Sequence, residues 1–142
     1  MAYDKSAEIK VHIAASPDRV WAALTDADAL TAWYWPAEFG PKATSDARVG
    51  GRFGIATASA DMGFAGEYLE LDAPRRLVQS WRWAGDDRDS RVTIELAHAA
   101  DGTDMNVTHD RLNAHTAAMY RAGWQSCLDR LPTYLTATQA RT

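Results

Sequence analysis

Four histidines, His12, His98, His109 and His115, are the first candidates for chemistry, because a neutral imidazole binds metals and moves protons near pH 7. Their spacing contains no H-x-x-x-H or H-x-H, and the single cysteine, Cys127, forms no C-x-x-C. No metal site is expected from these residues, and no cofactor is implied. His109 closes the run Thr103–His109, in which Met105, Val107 and His109 share one side. It reads either as a satisfied strand-end histidine or as an inward group able to orient a ligand or accept a proton. Glu67, in GEYLEL, depends on how its strand faces. If Phe64, Gly66 and Tyr68 point inward it is solvated; if Leu69 and Leu71 do, it is buried with a raised pKa and catalytic potential.

Other strings carry less. Gly50-Gly51-Arg52-Phe53-Gly54 superficially suggests a phosphate loop, but it lies between strand patterns rather than before a helix. Its glycines are expected to allow a bend or bulge. Asn106-Val107-Thr108 is a chance sequon within a strand. No Ser–His–Asp grouping has a local signature. The aromatic content stands out: Trp21, Trp33, Trp35, Trp81, Trp83 and Trp124 are many for 142 residues. Each alone is readily a core residue, whereas the group suggests an aromatic-lined cavity.

The elements that must position these residues follow from periodicity. Glu8–Ala14 alternates, with Ile9, Val11 and Ile13 on one face, and predicts a half-buried strand. Ser16-Pro17 is a helix start, and Asp26 and Asp28 interrupt that helix to cap a second one ending near Trp33. Strands are expected over Arg52–Ala58, Phe64–Leu71, Leu77–Trp83, Val92–Leu96 and Thr103–His109. Asp61-Met62-Gly63, Pro74, Gly85-Asp86-Asp87 and Asp101-Gly102 supply the turns between them. Asn113 then caps a helix over Ala114–Leu135, roughly 20 residues and about 30 Å long. At 100° per residue Tyr120, Trp124, Cys127, Leu128, Leu131 and Leu135 fall on its apolar face. Gly123 interrupts that stripe, through tight packing on a strand or through close approach of a bound molecule. Pro132 predicts a kink or an early end. Cys127, on the apolar face, is expected to be an inert small hydrophobe.

One domain of α+β class results, a curved antiparallel sheet wrapped around the long C-terminal helix, with two short helices after the first strand. Its 142 residues suit a single core. The net charge of −4 argues against nucleic acid as a partner. No stretch of 18 apolar residues and no signal-like N-terminus is present, so no membrane association and a cytoplasmic location are expected. A homodimer is compatible with the sequence, and nothing in it argues for one.

The strings SPDRVWAALTDADALTAWYWP, VGGRF, GEYLELDAPRRLVQSWRW, SRVTIEL, DGT and GWQSCLDRL, in this order, resemble the START-like (SRPBCC) superfamily. Within it they are most similar to the branch named after the C-terminal domain of the activator of the heat-shock protein 90 ATPase. The resemblance spans about Ile9 to Leu135. It implies the helix-grip fold, with a deep cavity between sheet and C-terminal helix, and carries no shared catalytic residues over to this chain. The expected cavity candidates are Phe53, Trp81, Met105, Val107, His109, Tyr120, Gly123, Trp124, Cys127 and Leu131. The expected function is non-enzymatic binding of a small apolar or amphipathic molecule, as carrier or sensor. Resemblance to polyketide cyclases implies an alternative, an enzyme with His109, Glu67 or Tyr120 as acid or base. A co-chaperone or protein-interaction module is the third reading. With no second domain, the chain alone is not expected to stimulate a chaperone ATPase.

Overall fold

Alternating apolar residues and short turns make seven strands, and a computed structural model describes them within residues 3–59 and 62–140. The strands are β1 (Lys5–Ile13), β2 (Lys42–Ser45), β3 (Arg52–Ala56), β4 (Gly63–Asp72), β5 (Arg76–Trp83), β6 (Ser90–Ala99) and β7 (Gly102–Leu112). They form one antiparallel sheet in the order β1-β7-β6-β5-β4-β3-β2. Only β1 leaves chain order, pairing with β7. The helices are α1 (Pro17–Thr25), α2 (Ala27–Trp33) and α3 (Ala114–Ala140), with a 3-10 turn over Ala37–Phe39. This is the helix-grip arrangement. Of the turn expected at Asp61-Met62-Gly63, Asp61 lies outside the described residues.

The helix starts are where the cap residues stand. Ser16 Oγ accepts from the Arg19 amide, Asp26 Oδ2 from Ala29 at 2.9 Å, and Asn113 Oδ1 from Thr116 at 2.8 Å. Each such cap contributes about 1 kcal/mol. The helix end is not as expected: α3 runs through Pro132 to Ala140. Its Trp124, Cys127, Leu128, Leu131 and Leu135 are buried together with Ile9, Ile13, Met105 and Val107 of β1 and β7. This packing along one face holds the last turns despite the hydrogen bond that proline removes.

The loop between β2 and β3 settles the glycine pair. Gly50 has φ +86°, and a Cβ on Gly51 would stand 2.0 Å from the Asp46 carbonyl oxygen. The Gly50 amide donates to the Tyr68 carbonyl and the Tyr68 amide to the Gly51 carbonyl, both at 2.9 Å. The glycines therefore serve a tight bend against β4, as expected, and not a phosphate loop. Among the described residues no helix is long and apolar enough to cross a membrane.

Candidate functional site

The long helix packs chiefly on β1 and β7, leaving space between its N-terminal half and β4–β5. The segment after α2 supplies a third wall. Arg130 of α3 donates to the Trp33 carbonyl at 3.3 Å and the Tyr34 carbonyl at 2.8 Å, using the end of α2 as acceptor. That anchorage directs Tyr34 and Trp35 into the gap before Pro36 turns the chain away. The result is a cavity of about 390 Å³, open at one side. Its walls are Tyr34 and Trp35, Phe64 of β4, Trp81 and Trp83 of β5, and Tyr120, Trp124 and Cys127 of α3. Met62, Asp86, Thr116, Met119 and Gly123 complete the lining. Two larger depressions, about 800 and 710 Å³, are more open troughs lined by many charged side chains. Much of that charge is committed to neighbours, as in Arg76 with Glu70 and Glu95 and Arg82 with Asp89, so the smaller aromatic cavity is the better ligand site.

The aromatic rings support one another. Tyr34 meets Trp124 at 5.8 Å between centroids, Trp35 meets Trp83 at 6.1 Å, and Trp83 stacks on Trp81 at 6.0 Å. Phe64 stacks on Trp81 at 4.4 Å, and Tyr120 meets Trp81 edge-on at 5.1 Å. Such contacts contribute about 0.5–1.5 kcal/mol each beyond burial, so the walls hold their shape without an occupant.

His109 lies behind this wall with no exposed surface. Its Nδ1 accepts from the Trp124 indole at 3.1 Å, and its Nε2 lies 2.6 Å from Ser90 Oγ. An indole N–H only donates, so Nδ1 carries no proton, Nε2–H donates to Ser90, and the Ser90 hydroxyl passes on to the Trp81 carbonyl at 3.1 Å. Burial lowers the His109 pKa to about 3. Both nitrogens are occupied, so His109 positions Trp124 and Trp81 and is the satisfied histidine of the two sequence readings. The Trp81 Nε1 is buried with no acceptor in hydrogen-bond range among the described residues; its indole packs edge-on to His109 and Tyr120.

Three hydroxyl and thiol groups of the cavity are held neutral. Burial pushes the Tyr34 hydroxyl well above its ordinary pKa, Cys127 adding to this and Arg130 opposing it. Burial, then Asp86, raises Tyr120 to about 12. Burial raises the Cys127 thiol to about 11 against the pull of Arg130. Glu67 follows the solvated reading: Phe64, Gly66 and Tyr68 are buried, Glu67 lines an outer trough, and a bulge between Tyr68 and Glu70 leaves Leu69 45% exposed. Among the described residues no three His, Cys, Asp or Glu side chains are grouped to hold a metal.

Of the ten expected cavity residues, Trp81, Tyr120, Gly123, Trp124 and Cys127 line the cavity. Phe53, Met105, Val107, His109 and Leu131 do not; all five are buried in the packing beneath it. Facing inward is not the same as facing a void, because core side chains fill most of the space between sheet and helix. Gly123 corrects another expectation. It is exposed, and an added Cβ would meet nothing within 4 Å, so no strand packs tightly there. The residues missed were Tyr34, Trp35, Phe64 and Trp83 with the rim. WYWP carried the available signal, three rings in a row before a proline, as did the shared face of Trp81 and Trp83.

Against this geometry, the sequence from residue 14 to 136 matches the family described as Activator of Hsp90 ATPase homolog 1-like protein. The chain belongs to this family. No curated protein sequence matches it. An AHSA1-like protein from Aeromonas hydrophila is 30% identical, with TM-score 0.77 over 95% of this chain and 94% of that one. An HSP90 activator from Plasmodium falciparum is 25% identical, with TM-score 0.75 over 92% of this chain and 96% of that one. A protein from Mesorhizobium loti, 21% identical, shares the fold at TM-score 0.82 over 94% and 98%. The family-level expectation from the ordered strings and the α+β expectation from periodicity therefore both hold.

Proposed function

We propose that this AHSA1-like domain binds a small apolar or amphipathic molecule between its sheet and its long helix, as a cytoplasmic carrier or sensor. The observation that carries the reading is the cavity itself, about 390 Å³ and walled by seven aromatic side chains. That volume is in the range of small-molecule sites, about 300–1,000 Å³. The three acid–base candidates support a non-enzymatic role. His109 has both nitrogens committed, Glu67 stands outside the cavity, and Tyr120, its pKa raised to about 12, is no base near neutral pH.

Native mass spectrometry of freshly purified protein, with titration of the neutral probe N-phenyl-1-naphthylamine, tests this. A co-purifying small molecule, or saturable one-to-one probe binding weakened by Gly123→Leu, is expected. Probe binding that is neither saturable nor sensitive to that substitution contradicts the reading. A second reading, chaperone-ATPase activation, draws support from the Plasmodium falciparum HSP90 activator, 96% of which this chain covers. Stimulation of a chaperone ATPase by the purified chain would favour it.

A further inference from the structure

Resting on the ligand-binding reading above, we propose that the ligand is an organic cation with an apolar body, its charged nitrogen held at the cavity rim by Asp86 among the rings of Trp83 and Tyr120. Among the described residues the lining contains no lysine or arginine, and Asp86 is its one acidic side chain. Asp86 sits in the turn after β5, where its amide donates to the Trp83 carbonyl at 3.0 Å, closing the backbone turn between the two lining residues. Its charge is felt inside the rim, since it is one cause of the raised Tyr120 pKa.

The neighbouring charges are engaged elsewhere. Asp89 bonds Arg82 at 2.8 Å, and the Arg88 guanidinium lies 3.7 Å from the Tyr3 ring centroid, while Asp86 has no ion-pair partner among the described residues. Arg130, which touches Tyr34 and Cys127 of the inner wall, donates to the Trp33 and Tyr34 carbonyls and stands 3.7 Å from Cys127 Sγ. The positive end of α3 also reaches the rim at Thr116, but the Thr116 amide is already bonded to Asn113 Oδ1. Aromatic faces carry negative quadrupole potential, and with a carboxylate at their edge they attract a cation and repel an anion. A weakly hydrated alkylammonium head suits such a rim, and its apolar body suits the walls behind it.

Titrations with decyltrimethylammonium, decanol and decanoate, each below its micelle concentration, share one tail and differ in head charge. The cation is expected to bind most tightly and decanoate least. Asp86→Asn, an exposed position, should reduce the cation-to-alcohol affinity ratio about fivefold, the size of one partly screened charge pair. Added salt should reduce that ratio in the wild type. If decanol or decanoate binds as tightly as the cation, or Asp86→Asn leaves the ratio unchanged, the cation assignment fails while the cavity reading stands. If none of the three binds saturably, the cavity reading fails and the assignment with it.

Discussion

The Trp124 indole donates to His109 Nδ1 at 3.1 Å, and this bond ties the long helix to β7 at the back of the cavity. It also fixes the imidazole as its Nε2–H tautomer. Trp124→Phe removes the indole donor to a buried nitrogen and should cost about 1–3 kcal/mol of stability. Denaturant unfolding measures the cost, and ¹⁵N spectra of the imidazole should show Nδ1 unprotonated in the wild type. A protonated Nδ1 would contradict the assigned chain of bonds.

His109 also gives stability a pH dependence of known sign. Its folded pKa, about 3, lies below the unfolded value of 6.5. As pH falls below about 6.5, the unfolded chain takes up a proton that the folded chain refuses. His109 therefore removes up to about 1.4 kcal/mol per pH unit, a loss that levels off near the folded value. Between pH 4 and 6 the slope of stability against pH should be shallower in His109→Gln than in the wild type. Equal slopes would mean that His109 titrates normally.

His12 should behave oppositely. Its Nε2 lies 2.9 Å from Asp101 and its Nδ1 2.8 Å from Asp104, two acceptors that only the imidazolium satisfies together. The Asp104 hydrogen bond is the largest cause of its raised pKa. The stabilisation is present below the unfolded value of 6.5 and is lost as pH rises through the raised folded value. In an NMR titration, Asp104→Asn should lower the His12 midpoint more than Asp101→Asn does; the reverse order would overturn the assignment.

Gly123 was legible as an anomaly but not in its meaning. At 100° per residue it stands 100° from Trp124, on the flank of the stripe rather than in it, and there it is exposed at the cavity. The long helix, its caps and the strand faces were readable because periodicity and capping are local. The cavity was not, because its walls meet only where α3 parts from β4 and β5, over separations such as Tyr34 to Trp124. Alternation puts Met105 and Val107 on an inward face; that they are buried beneath the void, rather than lining it as expected, depends on packing no single strand encodes.

Gly123 accordingly makes a two-sided prediction. Gly123→Ala should raise stability by about 1 kcal/mol, because the helix penalty is lifted and the new Cβ meets open space. Gly123→Leu should keep stability level or raise it while weakening an apolar probe at least tenfold, about 1.4 kcal/mol. A clear fall in melting temperature with probe affinity preserved would mean that the space beside Gly123 is not the ligand's.

The six indole N–H resonances offer the most direct measurement of the central claim. Trp35, Trp81, Trp83 and Trp124 line the cavity, whereas Trp21 and Trp33 do not. During titration with decyltrimethylammonium or N-phenyl-1-naphthylamine, the four cavity indoles should shift along one saturating curve while Trp21 and Trp33 stay nearly still. Equal shifts in all six, or saturable binding that leaves the four unmoved, would contradict a ligand site between sheet and helix.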